Sequence, residues 1–234
     1  MTEAPPRALI LAAGRGERMR PLTDACPKPL LRLRGRPIIE WHLLALAAAG
    51  VREVVINTAW LEAQFPAALG DGARFGLAIR YSMEGRDHGG ALETAGGIRK
   101  ALPWLAPGGD EPFWVVSGDI FMPGFRFDMP ALADFRAGTD LGLIWLVPNP
   151  PFHPAGDFRL DSGGRVSRGA PLDLTYANVA LLRPALVAAV PCGQRAALGP
   201  LLFDAAAADR LAGRVLQGPW HNLGTPAQLA ALEA

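Results

Sequence analysis

The sequence predicts an α/β fold, a mostly parallel sheet flanked by helices, on three observations. Short apolar runs recur at Ala8–Ala13, Val54–Ile56 and Phe113–Val116, without the in-out alternation of a strand that faces water on one side. Segments of helical periodicity separate these runs, so strand and helix alternate as in successive βαβ units. Glycine stands where the first strand and the first long helix should stop, at Gly14 and Gly50.

The elements follow in order. After a loose lead-in over residues 1–7, Ala8-Leu9-Ile10-Leu11-Ala12-Ala13 reads as a buried strand ending at Gly14. Pro37 suits the first position of a helix whose apolar stripe is Ile38, Trp41, Leu44, Leu46 and Ala49. Val54-Val55-Ile56 is the second strand, followed by a short helix from Glu62 to Leu69, a strand over Leu77–Tyr81, a helix over Thr94–Leu102 and a strand over Phe113–Val116. The second half is less regular. Strands are expected at Leu141–Val147 and Tyr176–Leu182, with the proline-rich Pro148-Asn149-Pro150-Pro151 between them. Helices are expected over Pro184–Val190 and Gly199–Leu211, with a closing helix after Pro226. No internal repeat or long linker cuts the chain, so residues 1–234 are read as one domain.

Half of the 234 residues are hydrophobic and 19% are charged, enough apolar material for a sizeable core. The formal charge is +1, from 23 basic and 22 acidic residues. No overall field therefore draws the chain to a polyanion or a charged bilayer, and neither nucleic acid nor membrane is expected as a partner. Only Cys26 and Cys192 are present, no cationic and apolar leader opens the chain, and no apolar run approaches the roughly 20 residues that span a bilayer. A reducing cytoplasm is expected. Oligomeric state is not readable at this level.

The segment Leu11-Ala12-Ala13-Gly14-Arg15-Gly16-Glu17-Arg18-Met19-Arg20-Pro21-Leu22-Thr23, closely followed by Pro27-Lys28-Pro29, carries the most chemistry. A strand ending in small residues and a glycine-rich turn lets backbone N–H groups approach an anion that side chains would otherwise keep away. Arg15, Arg18, Arg20 and Lys28 surround that turn with cations suited to a polyphosphate. The dinucleotide fingerprint G-x-G-x-x-G is incomplete, with Met19 at its third glycine, and GxxxxGK[ST] is absent. A tight turn with solvated arginines is the competing reading of Gly14 and Gly16. Asp119 follows the apolar Val115-Val116-Ser117-Gly118, at the strand end where open α/β sheets bind ligands. There it serves either as a hard oxygen ligand for Mg2+ beside a triphosphate or as a cap on the next turn.

The full pattern, LAAG-x-G-x-R-M-x-PLT with P-K-P downstream, resembles the signature of the sugar-1-phosphate nucleotidyltransferases. Further matching segments are Glu53-Val54-Val55-Ile56-Asn57, Leu92-Glu93-Thr94-Ala95-Gly96-Gly97-Ile98, Gly118-Asp119, Asn149-Pro150, Gly156-Asp157-Phe158 and Pro200-Leu201-Leu202. The likeness runs from about Ala8 to the C-terminus and is strongest to the short bacterial branch that uridylylates N-acetylmuramate 1-phosphate in cell-wall recycling. The resemblance implies a Rossmann-like fold of the nucleotide-diphospho-sugar transferase type with a small sugar-side lobe. Residues 8–120 would mainly bind nucleotide and residues 121–234 mainly the sugar phosphate. It also implies that Leu11, Ala12, Ala13, Gly14, Gly16, Glu17 and Arg18 line the nucleotide site, with Ser117 flanking it and Glu84, beside Gly89 or Gly97, near the base.

Arg18, Lys28 and Asp119 would be the catalytic residues and Mg2+ the cofactor, and Asn149 and Asp157 would face the sugar ring. The substrates would be a nucleoside triphosphate, UTP by this likeness, and a sugar 1-phosphate. In Trp220-His221-Asn222-Leu223-Gly224-Thr225, Asn222 occupies the place of a second metal-binding aspartate. That amide is read either as a weakened metal ligand beside Asp119 or as the mark of a regulator that binds nucleotide-sugars without turnover. Guanylyl or thymidylyl transfer to another sugar phosphate is the alternative within enzymes. The Glu-Lys-Pro segment of larger relatives has no counterpart between Gly164 and Thr175, and Asn178 stands where glycine is common. Arg159, Arg165 and Arg168 are the cations considered for a substrate carboxylate, and His221 is the histidine expected nearest the site.

Overall fold

Seven strands form one continuous sheet in the computed structural model, which describes residues 5–233. They are β1 (Arg7–Leu11), β2 (Glu53–Thr58), β3 (Ala78–Met83), β4 (Phe113–Ser117), β5 (Gly142–Pro148), β6 (Leu174–Leu182) and β7 (Leu211–Val215). Their order across the sheet is β7-β5-β6-β4-β1-β2-β3. β1 runs parallel to β2 and β4, β2 to β3, and β5 to β7; only β6 is antiparallel to its neighbours β4 and β5. The mostly parallel sheet is as expected, and it takes strands from both halves of the chain.

The apolar runs become strands because both faces of the sheet are covered. Ala8, Ile10, Val54, Ile56, Trp114 and Val116 pack into the core on one face. Leu9, Val55 and Val115, the alternate positions, pack into the core on the other. Each valine, leucine or isoleucine among them, fully removed from water, stabilises the fold by about 1.5–3 kcal/mol. Flanking helices are α1 (Ile38–Ala48), α2 (Gln64–Leu69), α3 (Glu84–His88), α4 (Glu93–Leu105), α5 (Met129–Ala137), α6 (Leu198–Ala207) and α7 (Pro226–Ala230). On α4, Ala95, Ile98, Ala101 and Leu105 make the buried stripe. No helix among the described residues is long and apolar enough to cross a membrane.

Three expectations change. Pro37 is the residue before α1, and the helix begins at Ile38. Pro184–Val187 forms a 3-10 turn instead of an α-helix. The helix expected to reach Leu211 ends at Ala207, and Leu211–Val215 becomes β7. The chain leaves the alanine tract through Asp209, whose φ of 52° is left-handed and incompatible with a continuing helix. β7 then lies tightly against its neighbours, since a Cβ on Gly213 would fall 2.5 Å from Val166 Cγ2. Asn178 is also explained: its φ is 60°, in the stretch where the β6–β5 register shifts between Tyr176 and Ala180. Asparagine tolerates that conformation better than most non-glycine residues.

From β1 the chain builds outward to β2 and β3, then returns to place β4 on the other side of β1. The crevice at the carboxyl ends of β1 and β4 is therefore a topological switch point. A two-residue ladder pairs Ile120–Phe121, just after β4, with His221–Asn222. This ladder brings the C-terminal region to the same crevice.

Candidate active site

The loop after β1 is built around Gly16, whose φ is 65°. A Cβ there would lie 3.0 Å from Thr23 Cγ2 and 3.2 Å from Lys28 Cβ, so only glycine fits. The Gly16 carbonyl accepts from Met19 N at 2.8 Å and from Thr23 Oγ1 at 2.8 Å. Trp60, two residues after β2, donates its indole N–H to the Thr23 carbonyl at 2.9 Å. The Arg15 guanidinium lies 4.2 Å above the Trp60 ring. Neither Arg15 nor Arg18 has a carboxylate partner among the described residues. The loop thus offers backbone N–H groups and two uncommitted cations to an anion.

Lys28 opens a 3-10 turn set by Pro27 and Pro29. It is only 6% exposed, and its ammonium lies 2.7 Å from Asp119 Oδ2. Asp119 is held at the tip of β4 by its neighbours. Gly118 N donates to Leu11 O at 2.8 Å, continuing the β1–β4 ladder, and the Asp119 carbonyl accepts from Leu223 N at 3.2 Å. Beneath it, His42 of α1 is buried with Nε2 2.9 Å from the Ile120 carbonyl. Burial pulls the His42 pKa down to about 4. The ring is therefore neutral at neutral pH, with its proton on Nε2 to donate to that carbonyl.

A cavity of about 1420 Å³ opens over these residues. Of the residues expected from the sequence, Leu11, Ala12, Ala13, Gly14, Gly16, Glu17, Arg18, Lys28, Ser117 and Asp119 all line it, and Gly89 does too. Its far wall comes from residues the sequence did not single out for it. These include Trp60, Glu62, His88, Glu93, Gly193 and Arg195. Glu62 accepts from Gly85 N and Arg86 N at 3.1 and 2.7 Å, capping the start of α3. Glu93 sits at φ 62°, a left-handed conformation costing about 1 kcal/mol or more for such a residue. The segment before α6 is strapped to α4 by Ala95 N and Gly96 N donating to Ala196 O, with Ala196 N donating to Leu92 O. That strap brings Arg195 to the cavity from the second half of the chain.

Other expected residues lie outside the cavity wall, Gly97 among them, and Arg20, whose guanidinium pairs with Asp24 at 3.1 Å. Glu84 is fully buried: its Oε1 accepts from Asn57 Nδ2 at 2.8 Å and its Oε2 from Leu92 N at 2.7 Å. Burial pushes its pKa up, opposed by those two hydrogen bonds. Asn149 donates to the Pro154 and Leu172 carbonyls and accepts from Thr175 Oγ1 at 2.9 Å, while Asp157 pairs with His153 at 2.9 Å and accepts from Tyr176 N. Asn222 stands in the short ladder opposite Ile120, and its neighbour Gly224 reaches the wall. Among the candidate cations, Arg165 is spent on Asp140 and Asp209, and Arg168 lies 3.8 Å over the Phe203 ring. His221 stacks on Phe121, and the histidine in the cavity wall is His88.

The oxygen donor in the cavity wall at the Lys28 corner is the Asp119 carboxylate, with Asn222 following in the short ladder, paired with Ile120. Among the described residues no group of three or more His, Cys, Asp or Glu side chains could hold a metal alone. This donor set fits Mg2+, which keeps waters and substrate phosphates around one or two protein ligands, and does not fit a cage made wholly of protein.

A model of the nucleotidyl transferase family matches residues 7–168. The chain is 44% identical to N-acetylmuramate alpha-1-phosphate uridylyltransferase of Neisseria meningitidis serogroup B, covering 97% of each chain. It is 35% identical to the protein of that name from Caulobacter vibrioides, over 100% of this chain and 98% of the relative. A solved structure of a candidate glucose-1-phosphate thymidylyltransferase from Bacillus anthracis superposes with a TM-score of 0.80 at 16% identity, covering 97% of this chain and 93% of that one. That last likeness establishes the fold, and the first three place the sequence: the chain belongs to the sugar-1-phosphate nucleotidyltransferases.

Proposed function

We propose that the protein joins UTP and N-acetylmuramate 1-phosphate into a nucleotide-sugar with release of pyrophosphate, serving cell-wall recycling in the cytoplasm. The observation that carries the chemistry is the buried Lys28 ammonium, 2.7 Å from Asp119, at the carboxyl ends of β1 and β4 beside a glycine loop with two free arginines. The choice of base and sugar is supported by the two near-full-length relatives that bear that activity in their names.

A sugar phosphate oxygen attacks the α-phosphorus of the triphosphate, and the bond from that phosphorus to the departing pyrophosphate oxygen breaks. The attacking oxygen is already anionic, so no protein nucleophile or base is needed. Catalysis is a matter of alignment and charge. Lys28 faces the α-phosphate and the incoming phosphate. Arg18, with Arg15, holds the β- and γ-phosphates through which negative charge departs. The segments Ala12–Gly14 and Gly16–Glu17 seat the triphosphate, with Ser117 beside the nucleotide. When bound at Asp119 and Asn222, Mg2+ supplies further neutralisation of the phosphate oxygens. Arg195, whose guanidinium lies 3.4 Å from Glu93 Oε1 in the cavity wall, is the cation assigned to the sugar side, and Asn149 and Asp157 keep the shape of the lobe.

The test is pyrophosphate release from each nucleoside triphosphate paired with a panel of sugar 1-phosphates in Mg2+ buffer. The expected maximum is UTP with N-acetylmuramate 1-phosphate. A maximum with GTP or TTP would reassign the substrate. Nucleotide binding without turnover of any pair would make the protein a regulator.

A further inference from the structure

Glu84 has no atom in the cavity wall, yet it touches both sides of the cavity through its partners. Asn57, 2% exposed, accepts from Ala12 N on its Oδ1 at 2.8 Å and donates from Nδ2 to Glu84 Oε1 at 2.8 Å. Glu84 Oε2 accepts from Leu92 N at 2.7 Å. The polarity of this chain is fixed at both ends. Each end is a backbone N–H, which can only donate. Asn57 must therefore turn its oxygen to Ala12 and its amide nitrogen to residue 84. Residue 84 must then accept twice, which suits an ionised carboxylate. Ala12 begins the phosphate loop and Leu92 the opposite wall, just before α4. Gly97 leaves the space: a Cβ there would lie 2.5 Å from Asn57 Nδ2 and 2.6 Å from Glu84 Oε1.

We infer that Glu84 is a positioning residue that, through Asn57, locks the phosphate loop to the opposite wall so that both grip the nucleotide as one preformed surface. This rests on reading the cavity as a nucleotide site. It replaces direct contact with the base by action through Ala12 and Leu92. A loop tied at its first residue loses less freedom on binding, so the relay acts mainly on nucleotide affinity.

The test uses the full chain with Glu84→Gln, Asn57→Asp and the double variant. In Glu84→Gln one amide N–H must face either Asn57 Nδ2 or Leu92 N, and one hydrogen bond is lost to a donor–donor clash. In Asn57→Asp two carboxylates face each other. In the double variant the new carboxylate at position 57 accepts from Ala12 N and from the new amide at position 84, whose oxygen accepts from Leu92 N. All three hydrogen bonds return with the net charge unchanged. Calorimetric UTP affinity in Mg2+ buffer is expected to weaken about 10-fold or more in each single variant, with kcat changed far less, and to return to within about 3-fold in the double variant. Single variants within 2-fold of the parent would overturn the inference. So would a folded double variant that binds no better than they do. If a single variant fails to fold, the double variant's affinity decides alone. Parent protein that binds no nucleotide would instead refute the nucleotide site itself.

Discussion

Lys28→Met separates catalysis from stability. The methionine keeps an unbranched apolar stem beside Gly16, whose Cβ position is 3.2 Å from Lys28 Cβ, and removes only the ammonium. Two energies then move in opposite directions for the fold. A buried cation, 6% exposed, no longer has to be desolvated, while the Asp119 carboxylate loses a partner at 2.7 Å. The Asp119 side chain is 39% exposed, so water takes over much of that charge. Folding stability should therefore stay within about 1 kcal/mol of the parent, or about 2–4 °C in Tm for a chain of this size. The transition state has no such compensation. Loss of one preorganised charge at the reacting phosphate costs about 3–4 kcal/mol, or 10²–10³ in kcat. Pyrophosphate release at saturating substrates and a thermal melt on the same preparation are the assay. A variant within 10-fold of the parent kcat would refute the placement of Lys28 on the reacting phosphate. A Tm loss well beyond 4 °C would show that the pair holds the fold.

Arg183→Met should do the opposite, because Arg183 donates to the carbonyls of Phe135, Arg136, Gly138 and Asp140 and so closes the end of α5 far from the cavity. A loss of about 3 kcal/mol in urea unfolding with kcat per folded molecule unchanged is expected; an unaltered unfolding midpoint would contradict it. Asn222→Asp adds a formal charge beside Asp119, and the Mg2+ concentration for half-maximal activity should fall about 3- to 10-fold. An unchanged Mg2+ dependence would remove residue 222 from the metal's coordination. His42 is held neutral with a pKa of about 4 against the ordinary 6.5. The unfolded chain therefore binds the extra proton first, and the stability this residue contributes is full above pH 6.5 and lost as pH falls toward 4. The parent should lose on the order of 3 kcal/mol more than His42→Gln over that window, measured by urea unfolding at stepped pH. Parallel curves for the two proteins would refute the assignment.

That the glycine loop and Lys28 share one cavity wall was legible because steric necessity wrote the loop into local sequence. Gly16 must be glycine where Thr23 and Lys28 crowd its Cβ position, and the prolines on either side of Lys28 fix the turn that carries it. The position of Asp119 was legible because the apolar run ends in Ser117-Gly118, which places the carboxylate just past the strand end. The opposite wall was not, since Trp60, His88 at the end of α3, and Arg195 come from separate segments that meet only through tertiary contacts such as Ala196 with α4. Glu84 was singled out in the sequence, but its burial against Asn57 was not foreseen. A carboxylate close to a loop in sequence points toward the ligand or away from it according to what lies behind it, and here Asn57 lies behind it. β7 was hidden by the alanine tract of α6, whose helical propensity gives no sign of the left-handed turn at Asp209.

The amide at residue 222 makes physical sense once the charges around it are placed. Lys28 and Asp119 already form a close pair, so the tip of β4, next to the residue paired with Asn222, carries little net charge. The unbalanced positive charge sits across the phosphate loop, on Arg15 over Trp60 and on Arg18 beside Gly224, where the Arg18 guanidinium carbon is 3.6 Å from the Gly224 Cβ position. On the proposed function, a triphosphate entering this cavity would be drawn to the loop by guanidinium groups and backbone N–H groups whether or not residue 222 were a second carboxylate. A second carboxylate would bind a cation more tightly, but it would also repel the phosphates and compete with Asp119 for the single buried ammonium. With asparagine there, the proposed function would leave the holding of the β- and γ-phosphates to the arginines. The residues whose loss should most weaken nucleotide binding are then the cations of the loop and the relay that sets it, ahead of the groups that would ligate the metal.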